Sequence, residues 1–348
     1  MAWQTGWSGR VKITIDPTKV GGADLADFPV YVKLADMPAA FWSDSKADLS
    51  DVMITTEAAA NGASTYLAGK LPRDIVYYVK VSTTGELYFK APAISSSVNT
   101  VFYLYYGNAG ASEVNSSDVW SSDYLLVAHC ASTSDSANGY VATNSNVGSD
   151  TTPNGGPAWS YVRASPSTSQ WNNPDGGASW TITSWMKVPT GSVDYTLFGI
   201  NDGYPGFRER GSNSYRVIQP GGTSTALFLT NIRADSGWHR ISVAFDTTGN
   251  TYLVTADGTS SEAITLNDSG AALVDLPLQS SIVFGTSMDL NATRAFTGSL
   301  GGIRVSNVAR SGAWLTADAN NQVSPSTFYA LEDIPPASGK TRYAMFVW

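Results

Sequence analysis

The stretch Trp238-His239-Arg240-Ile241-Ser242-Val243-Ala244-Phe245 decides the fold. Its residues Ile241, Val243 and Phe245 recur at every second position, which puts them on one face of an extended strand. Working outward, strand patterns lie at 180–188, 195–200, 214–218, 225–230, 251–256, 281–285 and 298–307, and another opens the region at 124–130. Asp257-Gly258 between two of them is a hairpin-turn signal. Trp185 and Trp238 are read as inner-face residues, whose indole N–H needs a partner when buried, and His239 as turned outward or to an edge. A short helix is expected at 314–320, with Ser311 as its cap. Towards the amino end, strand patterns recur at 11–15, 28–34, 52–55, 75–81, 87–90 and 101–106, with a hairpin around Ser82-Thr83-Thr84-Gly85. Strands this short need two stacked sheets to bury a core, so the expected class is all-β, built from two β-sandwich (jelly-roll) modules.

The small polar segment 109–118 reads as a linker, giving an N-terminal sandwich at 1–118 and a second at 119–330. Segment 131–156, rich in Ser, Asn, Gly and Pro, reads as a surface excursion. Residues 331–348 read as a linker around Pro335-Pro336 and an apolar tail. An apolar end left bare is a liability, so Tyr343, Met345, Phe346 and Trp348 are expected to be covered, by their own chain or in assembly with a neighbour.

Composition narrows the function. Charged residues make up only 14% of the chain, yet there are 17 Tyr, 12 Phe and 11 Trp, which excludes a disordered chain. The net charge of −8, without any basic stretch, disfavours nucleic acid and anionic membranes as partners. Cys130 is the only cysteine, so an internal disulfide and a thiolate metal cluster are excluded, and it reads as a buried apolar thiol. No apolar run approaches the roughly 20 residues of a membrane span. The opening Met1-Ala2-Trp3-Gln4 shows no signal-peptide pattern, which favours folding in the cytosol before joining a larger body over export with the signal removed.

Two resemblances follow from particular motifs. Trp7-x-x-Arg10 leading into Val11-Lys12-Ile13-Thr14-Ile15, the run Leu25-x-Asp27-Phe28-Pro29-Val30-Tyr31-Val32-Lys33-Leu34, Ala47-Asp48-Leu49-Ser50-Asp51-Val52, and Phe102-Tyr103-Leu104-Tyr105-Tyr106-Gly107-Asn108 resemble the DUF2341 family of surface-protein β-sandwiches. The segment Ile75-Val76-Tyr77-Tyr78-Val79-Lys80-Val81 departs from it, because members often carry Trp there. Trp180-Thr181-Ile182-Thr183-Ser184-Trp185, Gly237-Trp238-His239-Arg240, Phe296-Thr297-Gly298-Ser299-Leu300 and Ala309-Arg310-Ser311-x-x-Trp314-Leu315 are similar to the concanavalin A-like, laminin G-like fold. The order of the two modules resembles adhesive surface proteins and phage virion proteins.

Chemistry is sparse in the sequence. Glycan hydrolysis needs paired carboxylates, and the best single acid, Glu209, stands between Arg208 and Arg210 as a surface ion pair would. His129 and Cys130 are neighbours and alternate to opposite faces of a strand, which disfavours a nucleophile–base pair. Calcium is the one cofactor the sequence admits, with oxygen ligands at Asp202, Asp289 and Asn291, or at Asp135 and Asn138, although Asp and Asn populate turns in any case. Sugar binding calls for aromatic platforms, and Trp159, Trp171, Tyr204 and Phe207 lie in loop-like contexts. Packing of these aromatics onto the sandwich is the competing reading. The expectation is a non-enzymatic structural or adhesive component on the surface of a phage virion, as a tail, fibre or capsid-surface protein. Other virion proteins and further copies of itself are the expected partners, and a host cell-surface glycan the expected ligand. A bacterial cell-surface carbohydrate-binding protein and a glycan-active hydrolase stay open as alternatives.

Overall fold

The computed structural model describes residues 6–56, 69–162, 168–172, 179–188, 195–200, 206–209, 215–218, 224–227, 237–246, 248, 251–260, 264–265, 281–286 and 295–334. The chain divides into two compact units, one taking Met1–Val119 and Pro325–Trp348, the other Trp120–Ser324.

The first unit begins with β1 (Gly9–Ile15), β2 (Leu25–Lys33), β3 (Met53–Thr56), β4 (Lys70–Leu71), β5 (Arg73–Val79), β6 (Thr84–Ile94) and β7 (Thr100–Tyr106). β2, β6 and β5 form a three-stranded sheet in the order β2-β6-β5, and β1, β7, β3 and β4 belong to a second sheet. Alternation does what it promises here, because Val11, Ile13 and Ile15 are all fully buried. The two sheets meet where Phe89 of β6 stands edge-on to Phe102 of β7, with ring centroids 5.0 Å apart. Arg73 ties the rim together by donating to the carbonyls of Val52 (2.6 Å), Leu49 (3.2 Å) and Glu113 (3.0 Å). Asp51 accepts from the backbone N–H groups of Lys46 and Gly107, both at 2.9 Å, joining two stretches that the sequence motifs single out. The segment 109–118 is no free linker. Asn115 bonds both the N–H and the carbonyl of Ile75 at 2.9 Å, capping that part of the edge strand β5 as a neighbouring strand would.

The second unit continues with β8 (Tyr124–Ala128), β9 (Thr143–Ser145), β10 (Gly148–Thr151), β11 (Pro157–Tyr161), β12 (Thr168–Asn172), β13 (Trp180–Lys187), β14 (Tyr195–Ile200), β15 (Gly206–Glu209) and β16 (Tyr215–Ile218). Then come β17 (Ser224–Leu227), β18 (Trp238–Asp246), β19 (Thr251–Ala256), β20 (Thr259–Ser260), β21 (Ile264–Thr265), β22 (Ser281–Phe284) and β23 (Gly298–Ser306). They make a nine-stranded sheet along β10-β11-β23-β13-β18-β19-β20, with β8 on β23 and β21 on β19, and a seven-stranded sheet β17-β16-β15-β14-β22-β12-β9. Ile182, Val243 and Val305, opposite one another on three central strands, are buried in the core between the sheets. Trp180 from one sheet meets Phe198 from the other at 6.1 Å, ring edge to ring face. The polar excursion 131–156 is thus partly regular, because β9 and β10 extend one sheet each. Asp257 and Gly258 both adopt positive φ (50° and 79°), the two-residue turn that their sequence signals. The helix runs Gly312–Val323, longer than expected, and Ser311 caps it by accepting from the Trp314 N–H at 3.2 Å.

After this helix the chain returns to the first unit. A short helix Pro325–Phe328 leads into β24 (Tyr329–Ile334), which pairs antiparallel with β1 over six positions, from Arg10↔Ile334 to Ile15↔Tyr329. The completed sheet is β24-β1-β7-β3-β4. The second module therefore ends at Ser324 rather than 330, and 331–334, expected in a linker, are sheet. Glu332 and Asp333 disguise the strand, since an edge strand tolerates charge on its open side, and Glu332 pairs with Lys12 at 3.5 Å. Deleting residues 325–348 should raise amide hydrogen exchange across β1 by orders of magnitude and leave the second unit protected. Unchanged protection of Val11 to Ile15 would refute the closing role of β24.

Candidate functional site

The site is best built from the face of the nine-stranded sheet that points away from the core. Strand periodicity puts Thr183, Trp185 and Lys187 of β13 on that face, in register with Ser242, Arg240 and Trp238 of β18. Trp185 and Trp238 consequently point to the face opposite Met186 and Ile241, contrary to the inner-face reading, and Trp185 is nevertheless buried there at 4% exposure.

Part of this face is closed by a polar knot. Arg240, fully buried, donates through Nε to Asp318 Oδ2 (3.0 Å), through Nη1 to the Gly302 carbonyl (3.0 Å) and through Nη2 to Thr183 Oγ1 (2.9 Å). Arg304 donates to the other oxygen, Asp318 Oδ1, at 2.7 Å, and its guanidinium lies 5.3 Å from the Trp120 ring centre. Asp318 comes from the helix Gly312–Val323, so the ion triad fastens that helix to two strands. Burial alone pushes the Asp318 carboxyl up, but the two arginines outweigh it and hold it below the ordinary carboxylate value. His239 bonds Asp257 Oδ2 at 2.7 Å, and Asp257 Oδ1 accepts from the Arg240 N–H at 2.7 Å. This histidine fixes a hairpin to the strand beside it.

One rung away from Arg240 and Trp185 the described residues leave the face partly exposed. Here Gly148, Ser160, Ser299, Lys187 and Trp238 stand in register across β10, β11, β23, β13 and β18. Trp238 is half-buried, and the Lys187 ammonium lies 5.6 Å from its ring centre. Asp150, on the next rung of β10, reaches in: its Oδ2 accepts from Ser299 Oγ at 2.6 Å and Lys187 Nζ at 3.3 Å, and its Oδ1 from the Thr151 N–H at 2.8 Å. The small residue at Gly148 keeps the floor flat, since a β-carbon there would collide with Ser160 Oγ. Partial burial raises the Asp150 carboxyl, but the bonds from Ser299, Thr151 and Lys187 prevail and hold it low, as a stable carboxylate.

The sequence-predicted site residues fare differently. Trp159 lies on β11 and Trp171 on β12, not on loops, and they stack in the core with ring centres 5.6 Å apart. At 7% and 0% exposure they offer no platform to a ligand. Phe207 is on β15, opposite Phe198, again not on a loop. Glu209 ends the same strand, opposite Tyr195 and Tyr215. Tyr204, Asp202, Asp289, Asn291, Tyr343, Met345, Phe346 and Trp348 lie outside the described residues. Asp135 is no ion ligand: its carboxylate accepts three backbone N–H groups, from Val127 (2.6 Å), Ala137 (3.0 Å) and Asn138 (2.7 Å). Asn138 closes the same loop onto the carbonyls of Tyr124 and Leu125. Among the described residues no group of three or more His, Cys, Asp or Glu is placed to hold a metal. Cys130 joins the core, whereas His129 packs on Trp120 at 5.5 Å. The residues the sequence reading missed are Asp150, Lys187 and Ser299. Only Trp238 carried a signal, since its parity opposes that of Ile241, Val243 and Phe245.

No family model matches the chain, and no curated protein matches it. Solved structures similar to it include the binding domain of Paraclostridial Mosquitocidal Protein 1, at 12% identity and a TM-score of 0.47. The receptor-binding domains of botulinum neurotoxin type G (14%, 0.44) and botulinum neurotoxin D (13%, 0.46) are others. Each match covers 58% of this chain and about half of the other, at 53%, 52% and 53% respectively.

The two roles assigned to buried groups are measurable by urea unfolding. Trp171→Ala should cost about 3–5 kcal/mol, as expected of a core indole. Asp318→Asn should cost about 3–5 kcal/mol, because it strands two buried guanidinium groups. Asp318 has a folded pKa below its unfolded one, so its contribution is whole above about pH 4 and is lost as pH falls through the folded value. The Asn variant should accordingly lose less stability on acidification than the parent.

Proposed function

We propose that the chain is a non-enzymatic binding module, an adhesive or structural component displayed on the surface of a larger particle, a phage virion in the leading reading. One observation carries the binding role: an aromatic side chain and a fixed charge pair lie partly exposed on a sheet face, while other acid–base groups of the unit are consumed as structural partners. His239 holds a hairpin, Asp318 pairs with two arginines, and Asp135 closes a loop. Groups so engaged are poor candidates for proton transfer, which needs a side chain within reach of a substrate proton. The virion setting is supported by the likeness of the two-module order to surface and virion proteins, which is an argument from architecture alone. Placement on a bacterial cell surface, with a carbohydrate ligand, uses the same face.

The purified chain is expected to adsorb to cell-surface polysaccharide without releasing reducing ends. Release of reducing ends that disappears in Glu209→Gln would overturn the non-enzymatic reading. Immunogold labelling of intact particles is expected to decorate the virion exterior, and label confined to bacterial cells would replace the virion with the cell-surface setting.

A further inference from the structure

We infer that the rung Gly148–Ser160–Ser299–Lys187–Trp238, with Asp150 reaching in from the neighbouring rung, is a subsite for a neutral oligosaccharide. The inference rests on the reading of the chain as a binding module and names the ligand of that face. Three features lead to it. The first is Trp238, a large apolar ring left half-buried on an open sheet face beside the solvated Lys187. The indole surface is electron-rich and apolar, matching the C–H face of a pyranose ring. The second is that the polar groups beside it are held in place before any ligand arrives. Asp150 is fixed through both oxygens, and one of its anchors, Ser299, is only 5% exposed. Such a surface ion pair adds little to stability, but fixed donors and acceptors reduce the ordering cost of binding a ligand.

The third feature is charge balance. Lys187 supplies donors and Asp150 supplies acceptors, 3.3 Å apart, so the pair is neutral as a unit. Sugar hydroxyls, which both donate and accept, satisfy such a pair. A uronate or sialate would set its own carboxylate near Asp150, on a chain of net charge −8. The rung crosses five strands, and at 4.7–4.9 Å per step it extends over roughly 19 Å. That is longer than one sugar ring, so an oligosaccharide segment rather than a monosaccharide is the matching ligand.

Calorimetric titration of the full chain with cello-, malto-, manno- and chito-tetraose, and with polygalacturonate as the acidic probe, tests this. At least one neutral tetraose should bind, more tightly than its monosaccharide, and Trp238→Ala should weaken it about tenfold or more. Asp150→Asn and Lys187→Met should each weaken it severalfold with unchanged thermal unfolding, and they carry the test if Trp238→Ala fails to fold. Neutral binding untouched by all three substitutions would overturn the subsite and leave the binding module standing. Preference for polygalacturonate would overturn the ligand class. No binding to any tetraose would overturn the inference, while adsorption to whole polysaccharide reports separately on the module.

Discussion

A buried carboxylate shared between two arginines is the constraint on which the second unit depends. Asp318 pairs with both Arg240 and Arg304 from neighbouring parts of one sheet, and it does so from a helix that follows the last strand of that sheet. Removing Asp318 strands two guanidinium charges in a place water does not reach, so both arginines depend on that one carboxylate. The arrangement also sets direction. Arg240 is committed downward to Asp318, sideways to Thr183 and Gly302, and through its backbone to Asp257. The side chain two residues earlier on the strand, Trp238, is therefore mounted on a rigid base about 6.6 Å away along the strand.

The first unit solves a different problem. Its sheet is opened by the insertion of more than half the chain between β7 and β24, and closed again by the last described strand. Strand pairing over such a sequence separation is slow to form, because the loop between must be ordered first. The rim contacts of Arg73, Asp51 and Asn115 join positions much closer in sequence, and they hold the rim and part of the β5 edge without any residue of β24.

How much of this was legible in the sequence depends on the residue. Ile241, Val243 and Phe245 declared their strand, Asp257-Gly258 its turn and Ser311 its helix, because each signal is local and physical. Trp159 and Trp171 misled because their strands are short and set among Ser, Asn and Gly, so the segments looked like loops although Trp159 and Tyr161 do alternate. β24 hid behind Glu332 and Asp333, whose charges suit an edge strand and a linker equally. The open rung was invisible for another reason. Asp150, Lys187, Ser299 and Trp238 come from four separate strands, and only the sheet order brings Ser299, Lys187 and Trp238 into one line with Asp150 reaching in from the next rung.

That line also bears on the binding role proposed for this face. General-acid catalysis asks for a group that holds a proton it can give up, with a pKa poised near the working pH. Asp150 is held in the opposite state, kept ionised by Ser299, Thr151 and Lys187 and so unwilling to take a proton. A carboxylate fixed in that way is a constant acceptor. Set beside a constant donor and a flat aromatic surface, it can select a ligand by shape and hydroxyl pattern, and nothing in the arrangement has to change for the ligand to stay.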